Sequence, residues 1–232
     1  MHEYFTFVDF VRDSKLMEYG VAFLFIGLFA VFYKILQQPE AHEAAMASAV
    51  SKAVETIKGL LAPDGFAYHF GHAWAKVEGP TLAAVGIDDF AAKLVGPVEA
   101  VALPEVGSAV KQGERAWTLK VAGKTIDMLS PIDGTVKAIN PAAAAAIADD
   151  PYGKGWLFKV ETPRLRANLK NLMTGALART WVEQTVDALY ARAGDQLGAV
   201  AADGGSPVSG MARNIDPAQW DKIARECFLT NE

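Results

Sequence analysis

Hydrophobic positions change their spacing along the chain, and the first pattern is a continuous apolar run. Tyr19 to Tyr33 contains no charged residue. With the apolar positions on either side, the run reaches about 20 residues, the length that crosses a bilayer as a helix. We therefore predict a single transmembrane helix over 16–37. A cleaved signal peptide fits poorly, because acidic residues precede the run and no small-x-small site follows Lys34. A buried core helix is also disfavoured, because the run is apolar all round.

The segments on both sides of this run carry other patterns. Residues 1–15 are rich in aromatic side chains but too short to span, and we interpret them as an interfacial segment, with a strand or a docked surface as alternatives. Residues 38–62 show apolar positions at helical spacing, which predicts a juxtamembrane helix. Those positions are Met46, Val50, Val54, Ile57, Leu60 and Leu61.

From residue 63 to residue 162 the pattern becomes short apolar runs separated by Gly, Pro and Asp. Several runs alternate or are β-branched, which predicts many short strands in a small sandwich or barrel. Ala122-Gly123 is the predicted tip of a hairpin, and the alanine-rich stretch 141–148 is predicted as a short helix or packed loop. The predicted strands are Leu82–Ile87, Val98–Leu103, Trp117–Val121, Thr125–Leu129, Thr135–Ile139 and Trp156–Val160.

Helical spacing returns in the last part, 163–232, which we predict as a C-terminal helical extension. A helix is predicted over 163–193, followed by a Gly- and Asp-rich loop over 194–210. Asp216-Pro217 is an N-cap followed by proline, and it predicts the start of a last helix.

Composition removes several classes of function. The chain has 232 residues, 51% hydrophobic, and a net charge of −5, so no basic surplus exists to neutralise nucleic-acid phosphates. The mean hydropathy is +0.14. The single cysteine, Cys227, excludes an internal disulfide and any zinc or iron–sulfur site built from several cysteines.

Candidate catalytic and metal-binding residues all have a simpler structural interpretation. His69 and His72 have no third ligand nearby, and residues three apart in a strand face opposite ways. The carboxylate pairs at 88–89 and 149–150 lie at predicted turns, where Asp caps backbone amides. Cys227 has no histidine close in sequence and is interpreted as a buried thiol. We therefore predict neither an enzyme nor a metal site.

Five motifs follow one another between residues 65 and 160. They are His72-Ala73-Trp74, Val85–Ala91 (VGIDDFA), Val101–Gly107 (VALPEVG), Ser130–Val136 (SPIDGTV) and Pro151–Leu157 (PYGKGWL). In that order they resemble the motifs of the glycine cleavage H-protein, a small lipoyl-carrier domain of the barrel-sandwich hybrid type. The resemblance implies an α+β chain in which a mainly-β domain of that type, 63–162, follows the transmembrane helix and has flanking helices.

The resemblance also implies where a lipoyl arm would be attached. In the family the lipoylated lysine precedes the proline of the fourth motif by eight residues, a place that Gly123 takes here, counted from Pro131. Lys124 is one residue late, and Lys120 stands where the family has a glutamate. A shift of one residue in a hairpin changes the face that a side chain occupies. Lys124 is thus the one candidate for lipoate, and we expect an ordinary turn lysine and no cofactor.

Together these patterns predict a non-catalytic, membrane-anchored, H-protein-like scaffold or accessory subunit of a larger membrane assembly. By analogy, the assembly would be a respiratory or electron-transfer complex. Two alternatives stay open: a membrane-tethered lipoyl carrier of glycine-cleavage type with its arm on Lys124, and a tethered module that recruits a soluble enzyme. The residues expected to contact membrane or partner are Phe5, Phe7, Phe10, Phe23, Phe25, Phe29, Phe32, Trp220 and Phe228.

The expected partners are the membrane and integral or membrane-associated protein subunits, without nucleic acid. We expect a single-pass membrane protein with its soluble domain on the cytoplasmic side, because H-proteins work inside cells or organelles. The positive-inside count gives no orientation, since basic residues are balanced across the run. They are Arg12 and Lys15 before it, and Lys34 and Lys52 after it.

Overall fold

A computed structural model describes residues 7–36, 56–201 and 206–231 of the chain. The chain divides into two compact units, residues 1–52 and residues 53–232. The first unit contributes one helix to the described residues, and the second contributes all of the strands and the remaining helices.

Helix α1 (Phe7–Leu36) is continuous over 30 residues. It joins most of the predicted interfacial segment to the predicted span, so the helix begins well before residue 16. Asp9, Arg12, Asp13, Lys15 and Glu18 make its first half strongly charged.

Nowhere in the described chain is a helix both long enough and apolar enough to cross a membrane. The predicted transmembrane helix over 16–37 is therefore not supported, although residues 16–36 are helical. Phe5 lies outside the described residues, whereas Phe7 and Phe10 lie within α1. The other four predicted contact phenylalanines of this helix are more than half exposed: Phe23, Phe25, Phe29 and Phe32.

The second unit begins with a small hairpin rather than with the predicted juxtamembrane helix. Strands β1 (Thr56–Ile57) and β2 (Leu60–Leu61) pair antiparallel. Lys58 and Gly59 form the turn between them, with φ angles of 50° and 79°. A helix cannot continue through two residues in the left-handed region, so the helical prediction is wrong at the end of 38–62. The rest of that prediction, 38–55, lies outside the described residues.

Nine further strands form two antiparallel sheets. The six-stranded sheet has the order β3-β4-β5-β11-β10-β7, and the three-stranded sheet has the order β6-β8-β9. All six predicted strands are confirmed as strands, with ends that shift by up to two residues. The bounds are β3 Ala67–Tyr68, β4 Ala73–Val77, β5 Leu82–Ile87, β6 Ala100–Ala102, β7 Ala109–Val110, β8 Arg115–Val121, β9 Lys124–Leu129, β10 Gly134–Ile139 and β11 Phe158–Glu161.

The two sheets share one hydrophobic core. Val85 of the larger sheet and Leu119 and Ile126 of the smaller one are fully buried in the same cluster. The rings of Trp117 (β8) and Phe158 (β11) meet edge to face with centroids 5.3 Å apart. Packing between the inner faces of two sheets defines a β-sandwich, which confirms the mainly-β prediction.

Helices flank the sandwich, and they are more divided than predicted. The stretch 141–148, predicted as a short helix or packed loop, contains a short helix, but the predicted helix 163–193 breaks at residues 170–174 into two. The predicted loop 194–210 includes a turn of 3₁₀ helix at Gly194–Gln196 and a helix. The bounds are α2 Asp89–Val95, α3 Ala143–Ala146, α4 Leu165–Leu169, α5 Gly175–Ala193, α6 Leu197–Val200, α7 Met211–Ile215 and α8 Trp220–Cys227.

The C-terminal helices belong to the same core as the sandwich. Trp220 at the start of α8 is 3% exposed, and Phe228 at its end is fully buried. Both side chains lie in the cluster that includes the strand residues. The prediction that Trp220 and Phe228 contact a partner or membrane is therefore wrong, because the chain buries them against itself.

Candidate functional site

The hairpin of β8 and β9 is the candidate attachment point for a lipoyl arm. Val121 pairs with Lys124, which leaves a turn of two residues, Ala122 and Gly123. Their φ angles are 46° and 75°, and two positive values in sequence define the type I′ turn that matches strand twist. A Cβ added to Gly123 would meet nothing within 4 Å. The place expected for the carrier lysine is thus an open turn position without a side chain.

Lys124 is the first residue of β9, and helix α8 and the turn before it hold its side chain. The ammonium donates hydrogen bonds to the Ala218 carbonyl oxygen at 3.0 Å and to Asp221 Oδ1. It also lies 5.6 Å from the ring centroid of Trp220, within the range of a cation–π interaction. The side chain is 38% exposed. Lys124 is thus partly covered and engaged with three groups.

The Asp221 carboxylate of α8 interacts with two cationic side chains. The hydrogen bond from Lys124 holds the pKa of the Asp221 carboxyl below its usual value of 3.8, and the nearby Arg225 acts in the same direction. Arg225 approaches Asp221 Oδ2 to 3.6 Å. The Asp221 carboxylate therefore lies between a cation of the hairpin and a cation of its own helix.

The two candidate histidines have separate roles in the fold. His72 is 2% exposed, and its Nδ1 shares a hydrogen bond of 2.7 Å with Asp88 Oδ2. Its ring stacks on Phe90 at 4.3 Å and on Trp181 at 4.6 Å between centroids. His69 Nδ1 accepts a hydrogen bond from the Gly71 amide, and burial lowers the His69 pKa. Within the described residues, no group of three or more histidine, cysteine or acidic side chains is placed to hold a metal ion.

The candidate carboxylates are used at turns and caps. Asp88 accepts a hydrogen bond of 2.8 Å from the Ala91 amide and so caps α2. Asp89 Oδ2 accepts from the Leu61 amide at 2.8 Å. Asp150 accepts from the amides of Gly153 and Lys154. These contacts are those expected of turn and cap residues.

Cys227 lies at the end of α8, and burial raises the pKa of its thiol to about 11. At neutral pH such a thiol carries almost no thiolate, which is the nucleophilic form. The structure thus places Cys227 as a partly buried thiol that keeps its proton at neutral pH.

The contact between Lys124 and α8 has no signal in the sequence. Lys124 is separated from Ala218 by 94 positions and from Asp221 by 97. Spacing rules reach only a few residues, so a contact of this length needs the tertiary fold.

Hydrogen bonds join several of the motifs to one another in the fold. Trp74 Nε1 of the first motif donates to the Ile87 carbonyl of the second at 2.8 Å. Asn140 Nδ2, shortly after the fourth motif, donates to the carbonyls of Lys154 and Trp156 in the fifth. The motifs therefore hold the sandwich together. Residues 66–185 match the family model described as glycine cleavage H-protein.

The chain belongs to the glycine cleavage H-protein family. It is 39% identical over 113 residues to a glycine cleavage system H protein of Thermosynechococcus vestitus, covering 47% of this chain and 88% of that protein. It is 40% identical over 101 residues to the H protein of Rubrobacter xylanophilus, covering 42% of this chain and 79% of that protein. A crystal structure of the H protein from Mycobacterium marinum matches with a TM-score of 0.45 at 28% identity, covering 53% of this chain and 98% of that one.

The family match leaves two parts of this H-protein family member outside it. They are residues 1–65, which include α1, and residues 186–232, which include α8. The segment that holds Lys124 is thus an addition to the matched domain.

Proposed function

We propose that this H-protein family member is a non-catalytic docking subunit of a larger protein assembly, and that it does not carry a lipoyl arm. The observation that carries the proposal is the hairpin: its tip has Gly123 at the expected lysine position, and the neighbouring Lys124 is held by α8.

Attaching an arm to Lys124 would remove contacts as well as add a group. Forming an amide neutralises the ammonium, which ends its ion pair with Asp221 and its interaction with the Trp220 ring. Asp221, whose side chain is 18% exposed, would lose the cation of the hairpin. Removing one partner of a partly buried ion pair leaves the other charge poorly compensated. The present arrangement therefore favours an unmodified lysine.

Helix α1 supplies the attachment surface in this proposal. Its large apolar side chains between Val21 and Tyr33 are each more than half exposed, and exposed apolar area of this extent is typical of interaction sites. We place the assembly at a membrane, with the H-protein domain on the cytoplasmic side and a respiratory or electron-transfer complex as the partner. If so, the native protein will sediment with membranes and elute with other subunits after mild detergent extraction. Recovery in the soluble fraction, free of partners, would contradict this part.

Family membership favours a second candidate, a lipoyl carrier of glycine-cleavage type with its arm on Lys124. The Lys124 side chain is 38% exposed, and it begins a strand directly after the hairpin turn. In this alternative α8 releases the lysine, and the partners are the enzymes of glycine cleavage.

The mass of the intact protein from its native source separates the two candidates, together with peptide mapping across Lys120 and Lys124. An unmodified mass, in cells whose ordinary H protein is lipoylated, supports the docking subunit. A lipoyl or octanoyl group on Lys124 establishes the carrier instead.

A gain-of-function variant makes the same test sharper. Gly123→Lys restores a lysine at the family position, where a side chain has free space. We expect this variant to be lipoylated when it is produced with a lipoyl ligase, whereas the protein that keeps Gly123 is not. Gly113→Lys is the matched control, because Gly113 also has a positive φ of 79° and free space around it. Modification of both variants would mean that the ligase accepts any exposed turn lysine.

A further inference from the structure

A groove of about 380 Å³ lies between helix α5, the loop before β4 and the residues at the end of α8. This volume is within the range of small-molecule binding sites. Phe70 of the loop and Leu229 after α8 are both more than half exposed. The Phe70 ring meets the Trp181 ring of α5 edge to face, with centroids 6.1 Å apart. The apolar walls of the groove are Phe70, Trp181, Ala188 and Leu229.

His72 brings a buried polar atom to this groove. The side chain is 2% exposed, and its Nδ1 is bonded to Asp88 Oδ2 at 2.7 Å. His72 lines the groove and Asp88 does not. Because the two nitrogens point away from each other across the imidazole ring, Nε2 is the nitrogen on the groove side.

His72 Nε2 has no hydrogen-bond partner among the described residues. It is also not sealed from solvent: in the part of the chain that the structure describes, the buried side-chain atoms without a partner are Trp117 Nε1 and the Thr230 hydroxyl. The open side of the imidazole is therefore reached through the groove. Leaving such a polar atom unpaired is costly, so a ligand that bonds it gains affinity.

The partner of Nδ1 decides what Nε2 can bind. Asp88 accepts hydrogen bonds at both oxygens, from the Ala91 amide at Oδ1 and from His72 at Oδ2. The neutral imidazole therefore carries its proton on Nδ1, and Nε2 is an acceptor. Phe90 and Trp181 stack on the ring, with centroids 4.3 and 4.6 Å away, and keep it in this orientation. A matching ligand must bring a donor.

The charged groups beside the groove are already paired with one another. No aspartate, glutamate, lysine or arginine is among the described residues that line it. Burial raises the pKa of the Cys227 thiol in the groove to about 11, so this thiol is neutral. The charges that act on the thiol are those of Arg192 and Glu226, which form an ion pair, and that of Asp88, which is bonded to His72. A neutral ligand therefore fits better than an ion, whose charge would lack a partner.

We propose that this groove binds a small neutral aromatic molecule that carries a hydroxyl group. The hydroxyl donates a hydrogen bond to His72 Nε2, and the ring packs against Phe70, Trp181 and Leu229, where contacts between aromatic rings add to the burial of apolar area. The site does not include the hairpin tip, and it is independent of whether Lys124 carries an arm.

An NMR titration of the full chain with isotope-labelled histidine tests the site at the atom that carries it. The probe is para-cresol, and para-fluorotoluene is the reference compound of similar size without a hydroxyl. We expect para-cresol to shift the His72 Nε2 signal saturably, with one ligand per chain. The reference should bind about tenfold more weakly, because it leaves Nε2 without a donor. Absence of a saturable shift, or equal affinity for the two compounds, overturns the proposal.

Two substitutions in α5 test the place of binding without removing His72 from the core. Ala188 lines the groove and is exposed, so Ala188→Phe should weaken para-cresol binding about tenfold by filling space that the ligand needs. Ala176→Phe is the matched control, because Ala176 is exposed on the same helix and lies outside the groove. It should change the affinity by less than about twofold. Equal losses in the two variants would reject the site, and a thermal unfolding scan of each checks that the fold is kept.

Discussion

His72 and Asp88 are both buried, and their shared hydrogen bond gives each of these polar side chains a partner. Asp88 also caps α2 by accepting a hydrogen bond from the Ala91 amide, so one carboxylate both bonds His72 and caps a helix. The sequence indicated a structural role for both residues, because Asp88 lies at a predicted turn and His72 has no third metal ligand nearby in sequence. It could not predict their pairing, since 16 positions separate them.

Asp88→Ala should lower the free energy of unfolding by about 3 kcal/mol or more. The substitution leaves the buried His72 without its partner and removes the N-cap of α2. Urea unfolding measures the change. Asp149→Ala is the control, because Asp149 is exposed and should cost no more than about 0.5 kcal/mol. Equal losses in the two variants would show that the His72–Asp88 bond contributes little.

Cys227 should react slowly with iodoacetamide in the folded protein. Its thiol pKa is raised to about 11 from an ordinary value of 9.0, so the folded state keeps its proton where the unfolded state loses it. The alkylation rate should therefore rise through pH 9 and beyond, and stability should fall as pH rises above about 9. Mass spectrometry over a pH series measures the rate, with urea-unfolded protein as the reference. Folded protein that reacts as fast as unfolded protein would contradict the burial of the thiol.

Six of the nine strands of the sandwich could be predicted from sequence, because their apolar runs are local and are separated by Gly, Pro and Asp, whereas β3, β4 and β7 were not predicted. The helix predicted over 38–62 failed at its end, where Ile57, Leu60 and Leu61 fit helical spacing as well as they fit a hairpin. The turn at Lys58-Gly59 decides between the two patterns. Spacing does not show which residue adopts a positive φ, so the same apolar residues supported the wrong element.

Ala122→Asn should stabilise the β8–β9 hairpin by roughly 0.5 to 1 kcal/mol. Ala122 has a φ of 46°, a region that disfavours alanine and that asparagine tolerates, and Asn-Gly is the preferred pair in a type I′ turn. Thermal and urea unfolding measure the gain. Ala145→Asn in α3, an exposed position, is the comparison and should be neutral or slightly destabilising. A loss of stability in Ala122→Asn would contradict the type I′ geometry.

Most buried apolar residues of the second unit belong to one core, and that core includes residues from both ends of the unit. Leu60 of β2, Ile126 of β9 and Phe228 after α8 are all fully buried in one cluster. The sequence pattern predicts an external contact for Trp220 and Phe228, since an apolar residue late in a chain has the same pattern whether it packs on a partner or on its own fold. Only the tertiary structure distinguishes the two.

Phe228→Ala should lower the free energy of unfolding by about 3 to 5 kcal/mol, the usual cost of truncating a buried phenylalanine. Leu229→Ala is a neighbouring control: Leu229 is 55% exposed, so its loss should cost much less, about 0.5 kcal/mol. Urea denaturation of the two variants under the same conditions gives the comparison. A similar loss of free energy of unfolding in both variants would mean that the C-terminal segment does not pack in the core.

Helix α8 begins with Trp220 beside the Lys124 ammonium and is followed directly by the buried Phe228. Because one helix carries both contacts, the chemical accessibility of a surface amine is coupled to the packing of an interior ring. A substitution that weakens the packing of Phe228 therefore increases the fraction of molecules in which α8 has left the hairpin. The Lys124 amine is exposed in that same fraction. An acylating reagent applied to this lysine would thus report how firmly the interior of the protein holds its last helix.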